Sequence, residues 1–254
     1  MVIPLRDDNP TSRFPVLTVL LIAANIFIFA FVQPHSDTAL NRFDYEYAAI
    51  PCELVQGKPA SVVEINNGVC NSRLATPPAF PHKNVYLAVL VSMFLHGSWL
   101  HVLGNMLFLW IFGDNVEDAL GHLNFLVCYL AFGAVAGLAQ FFMNPLSTIP
   151  NLGASGAIAG VLGFYLVLYP AARVLTLFPL LILFWFFRVP AIIFLAFWFF
   201  LQTLSGVATL QQHTEGGVAY WAHIGGFVVG LGLGIFFRVL GKQAPDGTYR
   251  ARWS

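Results

Sequence analysis

Long apolar runs, separated by polar segments, are the dominant pattern along the chain. Lipid offers no hydrogen-bond partners, so a chain that crosses a membrane must satisfy its backbone within helices or a closed barrel. The runs are continuous rather than alternating, which favours helices. The pattern predicts six spans, at residues 15–32, 100–116, 123–143, 155–169, 190–204 and 220–240. We therefore expect an all-α polytopic membrane protein, folded as a bundle of six transmembrane helices.

A further apolar stretch, at residues 174–187, is too short to cross a membrane as a helix. It has 14 residues, whereas a crossing helix needs about 20. Pro179 interrupts it, and Arg173 and Arg188 flank it. We interpret the stretch as an interfacial or re-entrant hairpin that keeps both arginines on one side of the membrane. A seventh span is the alternative interpretation.

The composition excludes a water-soluble domain. Hydrophobic residues make up 58% of the 254 residues and charged residues 9%, whereas soluble domains have about 45–50% and about 25%. The 12 basic residues balance 12 acidic ones without forming a basic run, so no nucleic-acid partner is expected. The lipid bilayer is the expected environment.

The distribution of Lys and Arg predicts the orientation of the chain. Cytoplasmic segments carry more of these residues, and a cytoplasmic N-terminus would place eight of them inside and four outside. The inner set is Arg6, Arg13, Arg173, Arg188, Arg238, Lys242, Arg250 and Arg252, and the outer set is Arg42, Lys58, Arg73 and Lys83. We expect cytoplasmic tails at 1–14 and 241–254 and a membrane domain at 15–240, with a long extracytoplasmic loop at 33–99. The expected location is the plasma membrane.

Two of the three cysteines, Cys52 and Cys70, lie in this loop. An oxidising compartment would favour a disulfide between them, and closing the loop would stabilise the fold by about 3 kcal/mol in the chain-entropy model. Two reduced thiols are the alternative. Cys128 lies within a span and is interpreted as a small buried hydrophobic residue. No Cys and His spacing indicates zinc, and no Gly-rich loop indicates a nucleotide.

The alternation of the spans predicts that three polar residues share one layer. Spans two, four and six run in the same direction, so their first turns lie at similar depth. His101 is at the start of span two, Ser155 at the start of span four and His223 near the start of span six. Ionisable side chains at membrane depth are costly and mark functional sites.

Glycines predict that spans four and six pack directly against each other. Gly156 and Gly160 on span four, and Gly226, Gly230 and Gly234 on span six, recur every four residues, a spacing that lets two backbones approach closely. Such packing would bring the imidazole of the sixth span to the serine of the fourth, as nucleophilic catalysis requires. A buried histidine bonded to a backbone carbonyl, and glycines that serve packing alone, are the alternatives.

Ser155 and His101 each have neighbours that could stabilise an oxyanion. The run Gly153-Ala154-Ser155-Gly156 opens a helix, where free backbone N–H groups favour negative charge. His101 and Asn105 are four residues apart and share a face, and both carry donors suited to an oxyanion. Hydrogen bonds that join neighbouring helices are the alternative role for this pair.

A carboxylate is not expected beside His223. The nearest acid in sequence is Glu215, eight residues before it, while Asp114 and Glu117 lie about 20 Å below the layer by helical rise. We therefore expect a Ser-His dyad in which packing, rather than a carboxylate, orients the imidazole.

These residues together resemble the rhomboid intramembrane serine proteases of bacterial type, over residues 94–240. The resemblance depends on His101-x-x-x-Asn105, Gly153-x-Ser155-Gly156 and Ala222-His223-x-x-Gly226-x-x-x-Gly230, with Gly113 and Glu117 at the foot of span two. The opening segment, residues 3–10, also looks like that of bacterial members.

The resemblance implies a six-helix bundle around a water-filled cavity that opens to the outer side. It implies that Ser155 is the nucleophile and His223 the general base and then acid, and that His101, Asn105 and the Ser155 N–H form the oxyanion hole. Gly153, Gly156 and Gly226 would support this site. Transmembrane helices of other proteins would be the substrates, and no metal or cofactor is implied.

The sequence departs from the family pattern at two places. The Trp-Arg pair that many members carry before span two is not found in residues 84–95. Ala159 stands where some members place an aromatic residue against the catalytic histidine, so His223 must be held otherwise. A non-proteolytic relative that binds membrane helices is the second functional hypothesis. A transporter with a histidine proton relay is the third, but the inverted repeats and mid-depth acids that it predicts are not seen.

Overall fold

The computed structural model describes residues 3–71, 76–180, 183–212 and 218–241. Several residues used in the sequence argument lie outside these ranges, namely Arg73, Glu215, Lys242, Arg250 and Arg252, together with residues 242–254 of the expected C-terminal tail.

Ten helices and three strands make up the described part of the chain. In chain order they are β1 (Ile3–Asp7), α1 (Val16–Phe27), α2 (Asp37–Tyr47), α3 (Pro51–Gln56), α4 (Val62–Asn67), α5 (Leu87–Val91), α6 (Trp99–Leu120), α7 (His122–Met143), α8 (Ser155–Leu168), β2 (Arg173–Leu180), β3 (Leu183–Pro190), α9 (Ala191–Gln212) and α10 (Tyr220–Val239). A π-helical turn, Ile28–Val32, extends α1, and a 3-10 turn, Ser92–Phe94, follows α5.

The helix lengths identify a multi-pass membrane protein. Helices α7, α9 and α10 are long and apolar enough to cross a bilayer, and α6 provides a fourth crossing if it is counted with the segment Leu87–Phe94, from which it is bent by 90°. Helix α8 and the combined segment Val16–Val32 are apolar but shorter. By length and composition, the described chain therefore has three or four of the six predicted spans.

A three-stranded antiparallel sheet replaces part of the expected all-α architecture. Strands β2 and β3 form a hairpin in which Arg173 pairs with Pro190 and Leu175 with Arg188, so both arginines lie at the same end. Strand β1 pairs along the other edge of β2. The prediction of an all-α chain is wrong here, as is a seventh helical span. β-branched and aromatic residues, which favour strands, make up five of the eight residues of β3 and three of the eight of β2.

Helix α9 is longer than its predicted span, which was expected to end at residue 204. The helix continues to Gln212, because its polar residues do not interrupt the backbone hydrogen bonds. The hydroxyl of Thr203, for example, donates to the carbonyl of Phe199 one turn earlier, at 3.0 Å. The polar cluster after residue 201 therefore belongs to the helix rather than to a loop.

Helix α8 is the centre of the bundle. Its ten residues from Gly156 to Tyr165 are all buried, and it packs against α10 through glycines on both helices. A side chain on Gly226 would collide with the carbonyl oxygen of Gly156, and one on Gly230 would collide with that of Gly160. The two backbones are therefore in direct contact, and the predicted packing of spans four and six is confirmed.

The acids at the foot of α6 bind the N-terminal segment. The Glu117 carboxylate accepts hydrogen bonds from the backbone N–H groups of Leu17 and Thr18, at 2.8 and 2.7 Å. These groups belong to the first turn of α1, where a negative charge is favourable. Asp118 accepts from the backbone N–H and the hydroxyl of Ser12, both at 2.8 Å. The buried acids thus have a structural role.

The segment between α1 and α6 is a folded layer that contains α2 to α5. Cys52 and Cys70 form a disulfide with a Cα–Cα distance of 5.6 Å. Lys83 and Glu53 form an ion pair at 2.7 Å, with each side chain only 2% exposed. Burial raises the pKa of Glu53 and lowers that of Lys83. Removing either partner would leave the other charge buried and unpaired, which is strongly destabilising. The ion pair therefore holds the segment after α4 against α3.

Asp7 links β1 to the membrane helices. Its carboxylate accepts hydrogen bonds from the Tyr165 hydroxyl at 2.6 Å and from the Asn115 amide at 3.1 Å. Burial, with a smaller contribution from the nearby Asp114, raises the pKa of this carboxyl to about 7 against the lowering effect of the Tyr165 hydrogen bond. Asp7 therefore favours folding most when it is protonated, and its contribution is lost as the pH rises through about 7.

We expect Gly230→Leu to destabilise the bundle, because the new side chain must displace the α8 backbone. Overpacking of this kind costs about 1–3 kcal/mol or more. Thermal unfolding in detergent should show the loss. Gly232→Leu is the matched control, because no atom lies within 4 Å of a side chain at that position. Equal melting temperatures for the two variants would contradict the direct backbone contact.

We expect Asp7→Asn to change the pH dependence of stability. The amide cannot ionise, so the variant should melt roughly 2–4 °C above the wild type at pH 8.5 and by a clearly smaller margin at pH 5, because the contribution of Asp7 falls between its unfolded and its folded pKa. Asp37→Asn, at an exposed carboxyl on α2, is the control. A difference between variant and wild type that is the same at both pH values would show that Asp7 is already ionised at pH 5.

Candidate active site

The candidate site begins where a polar loop enters α8. Ser155 is the first residue of this helix, so the backbone N–H groups of the first turn are not used within the helix. Gly153 has a φ of +121°, a conformation that side-chain-bearing residues rarely adopt. A Cβ at this position would lie 2.8 Å from Nε2 of His101. Glycine therefore allows the turn and leaves room for the imidazole.

The folded layer outside the bundle holds this loop in place. The N–H of Gly153 donates to the carbonyl of Ser92 at 2.9 Å, and the N–H of Asn151 donates to the carbonyl of Ala49 at 2.8 Å. The Ser92 hydroxyl in turn accepts from the N–H of Ala49 at 2.6 Å. The backbone just before Ser155 is thus fixed by residues that are distant in sequence.

Ser155 and His223 are in hydrogen-bonding contact. Nε2 of His223 lies 2.7 Å from Oγ of Ser155, although the two residues are 68 positions apart. His223 lies in the first turn of α10 and is 8% exposed. Its position follows from the close packing of α8 and α10, since the contact lies at the end of the glycine interface.

The second ring nitrogen of His223 also has a partner. Its Nδ1 lies 2.7 Å from Oε1 of Gln202, and the ring of Trp198 lies beside the imidazole, with centroids 5.9 Å apart and planes tilted by 34°. Both partners are on α9. The expectation is that packing, rather than a carboxylate, orients the imidazole; the structure adds a hydrogen bond to an amide to the contact with an indole. No carboxylate within the described ranges is bonded to His223.

The sequence did not identify Gln202 and Trp198 as partners of His223. A signal existed, because polar side chains within an apolar span are costly and mark functional positions, and these two residues share a face by their spacing of four. The signal was weak because the predicted fifth span ended two residues after Gln202. The glutamine could therefore be interpreted as an ordinary polar residue at the end of a helix.

His101 and Asn105 face the same space as Ser155 and His223. All four line a cavity of about 810 Å³ between α6, α8, α9 and α10. The amide nitrogen of Asn105 donates to Nε2 of His96 at 3.0 Å, which leaves its second N–H unassigned. His96 is fully buried, and its ring contacts that of His101 with centroids 5.0 Å apart. His96 thus supports both residues.

The cavity is lined by polar and apolar side chains. Phe108, Ile158 and Leu162 line it beside the polar residues named above. Its volume lies within the range of about 300–1,000 Å³ typical of ligand sites. In the part of the chain that the structure describes, no group of three or more His, Cys, Asp and Glu side chains is placed to hold a metal ion.

Comparison with known proteins gives a consistent result. The Rhomboid domain model matches residues 83–239. Rhomboid protein 1, mitochondrial, of Saccharomyces cerevisiae is 32% identical over 150 residues, which are 57% of this chain and 40% of that protein. The human presenilin-associated rhomboid-like protein, mitochondrial, is 30% identical over 152 residues, 56% of this chain and 36% of that protein.

A bacterial relative shows higher identity over a shorter region. Rhomboid protease GluP of Bacillus subtilis is 38% identical over 109 residues, which are 40% of this chain and 20% of that protein. The chain thus spans less than half the length of these curated relatives. The similarity covers the helices that carry the candidate site and does not extend to the relatives' remaining segments.

Proposed function

The chain belongs to the rhomboid family, and on this premise we propose that it is an intramembrane serine endopeptidase that cleaves transmembrane segments of other membrane proteins. The observation that carries the proposal is the 2.7 Å contact between Ser155 Oγ and His223 Nε2. Nucleophilic catalysis by serine requires a base at this distance from the hydroxyl.

In the proposed reaction, Ser155 Oγ attacks the carbonyl carbon of the scissile peptide bond while its proton moves to Nε2 of His223. The tetrahedral intermediate places a negative charge on the former carbonyl oxygen. Its collapse breaks the C–N bond, and the imidazolium gives its proton to the leaving amine. Water, activated by the same imidazole, then attacks the acyl-serine, releases the carboxylic acid and restores the serine.

His101, Asn105 and the backbone N–H of Ser155 form the proposed oxyanion hole. The N–H of Ser155 is at the start of α8, where the helix favours negative charge. Fixed donors in a site of low polarity stabilise a developing oxyanion strongly because they do not need to reorganise. The His96 hydrogen bond to Asn105 would keep the amide aimed into the cavity.

The proposed substrates are membrane helices that unwind near the site. The peptide carbonyls of an intact helix are bonded within the helix and are closed to the serine. A segment with small residues or helix breakers loses less stability when it unwinds. Cleavage near the end of a substrate helix, in the layer of Ser155, would therefore be preferred.

The proposed topology has six crossings, with the Ser155 end of the bundle facing the extracytoplasmic side and both termini in the cytoplasm. The excess of Lys and Arg expected on the inner side supports this orientation. The Cys52–Cys70 disulfide supports an oxidising environment for the folded layer around it. We propose the plasma membrane as the location on the same grounds.

A non-proteolytic rhomboid-like protein that binds membrane helices is the alternative. Such a protein has no need of a hydroxyl and an imidazole in hydrogen-bonding contact, so the Ser155–His223 pair favours the enzyme. The two functions share the helix-binding cavity and differ only in the reacting groups.

A fluorophosphonate probe, which reacts with activated serines, tests the proposal. We expect the folded wild type in detergent to be labelled, and both Ser155→Ala and His223→Ala to lose labelling without unfolding. Heat-unfolded wild type is the control and should not react. If folded wild-type protein fails to react while its melting curve is normal, the protease function is refuted and the helix-binding alternative gains support.

We expect Asn105→Ala to lower kcat on a model transmembrane substrate roughly tenfold to a thousandfold, because one oxyanion donor is lost. The KM should change little, since the donor acts mainly in the transition state. Asn124→Ala is the matched control, because that exposed amide donates to the carbonyl of Leu120 at the end of α6, away from the candidate site. Unchanged turnover in Asn105→Ala would remove this residue from the oxyanion hole.

A further inference from the structure

Both ring nitrogens of His223 are engaged, and their partners come from different helices. Nε2 faces Ser155 on α8, and Nδ1 faces Gln202 on α9, each at 2.7 Å. A neutral imidazole carries one proton, so one nitrogen donates and the other accepts. To take the serine proton, Nε2 must be the acceptor. Nδ1 must then carry the hydrogen and donate it, which requires an acceptor at the position of the Gln202 oxygen.

The orientation of the Gln202 amide follows from the same reasoning. If the amide were turned around, its NH2 group would donate to Nδ1, and the proton of the imidazole would move to Nε2. The ring would then present an N–H to Ser155 and could not act as its base. The contact of Oε1 with Nδ1 is therefore the arrangement that leaves Nε2 free to accept.

An amide suits this position better than a carboxylate because the site lies at membrane depth. An ionised carboxylate is costly in that environment, whereas an amide oxygen accepts the same hydrogen bond without a net charge. When the imidazole becomes protonated, the carbonyl dipole of the amide also faces the positive charge. In soluble serine proteases an aspartate holds the tautomer of the histidine, and here a neutral group can do so.

Helix α9 presents a matched pair of side chains to the imidazole. Trp198 and Gln202 are one turn apart, so they lie on the same face; the indole contacts the imidazole at a tilted angle, and the amide bonds its Nδ1. Ala159, one turn after Ser155, has no aromatic ring that could pack against the imidazole. Orientation of the base is thus supplied by a helix that carries neither Ser155 nor His223.

We propose that Gln202 is a positioning residue that fixes the catalytically competent tautomer of His223. The proposal rests on the proposed protease function, because it assigns a role within the same site. Gln202 acts through the imidazole and does not touch the reacting atoms. Its contribution is therefore expected in kcat rather than in substrate binding.

Three variants test this role. Gln202→Met keeps the length of the side chain but removes the acceptor, and we expect kcat to fall roughly tenfold to a hundredfold with KM unchanged, less than the loss seen when an aspartate is replaced. Gln202→Glu restores an acceptor and should retain more activity than the Met variant. Thr203→Val is the matched control on α9, since that hydroxyl bonds only to its own helix, and it should behave as wild type.

The pH profile of kcat/KM gives a readout that a purely structural role would not move. A carboxylate at position 202 would stabilise the imidazolium, so the acid limb of the Gln202→Glu profile should shift to higher pH. If the Met variant does not fold, as judged from its melting curve, this shift still tests the proposal. An unshifted profile in Gln202→Glu, or wild-type kcat in a folded Gln202→Met, would overturn it.

Failure of this proposal is distinguishable from failure of the protease function. Fluorophosphonate labelling of the wild type reports the activated serine independently of Gln202. If the wild type is labelled and Gln202→Met is labelled at the same rate, the role of Gln202 is refuted and the protease function stands. If the wild type is not labelled, the protease function fails first, and the assignment of Gln202 fails with it.

Discussion

The direct contact between the backbones of α8 and α10 is the constraint on which the rest of the structure depends. Gly226 and Gly230 have no side chains to keep the helices apart, and the carbonyl oxygens of Gly156 and Gly160 occupy the space that side chains would need. At this separation, and with both helices starting at the same level, Ser155 and His223 meet across the interface. A single added carbon at the interface would move Ser155 away from His223.

Ionisable side chains lie towards the two ends of the bundle. At the Ser155 end, the polar side chains of the candidate site are a hydroxyl, imidazoles and amides, all of which can be neutral. At the opposite end, the carboxylates of Glu117 and Asp118 accept hydrogen bonds from backbone and hydroxyl donors of the N-terminal segment, and Glu117 also pairs with Nδ1 of His122. The separation keeps charged groups out of the middle of the bundle, where each would be costly.

The folded layer before α6 contributes to the site as well as to the fold. Its backbone and the Ser92 side chain hold the turn at Gly153, and its own shape is stabilised by a disulfide and a buried ion pair. A loop that carries a nucleophile needs such support, because a small displacement of the hydroxyl or of the oxyanion donors weakens catalysis sharply. The polar loop before α8 cannot supply this support from local sequence.

The features that could be read from the sequence are the periodic and local ones. Continuous apolar runs predicted most helices, and the family assignment from the motifs of α6, α8 and α10 is confirmed by the family match over residues 83–239. The spacing of Gly226 and Gly230 predicted which helices touch, because a helix repeats every 3.6 residues and places such residues on one face. The same repeat, with the alternation of the spans, led to Ser155 and His223 as partners.

The remaining features required the folded chain because they depend on contacts between distant segments. Strand β1 pairs with β2 across some 170 residues, and no local pattern in residues 3–7 identifies that partner. Helix α9 is apolar around most of its circumference, so its sequence does not predict which face packs against the other helices. Only the packed bundle rotates Gln202 and Trp198 towards His223, since the rotation of such a helix is set by its neighbours rather than by its own periodicity.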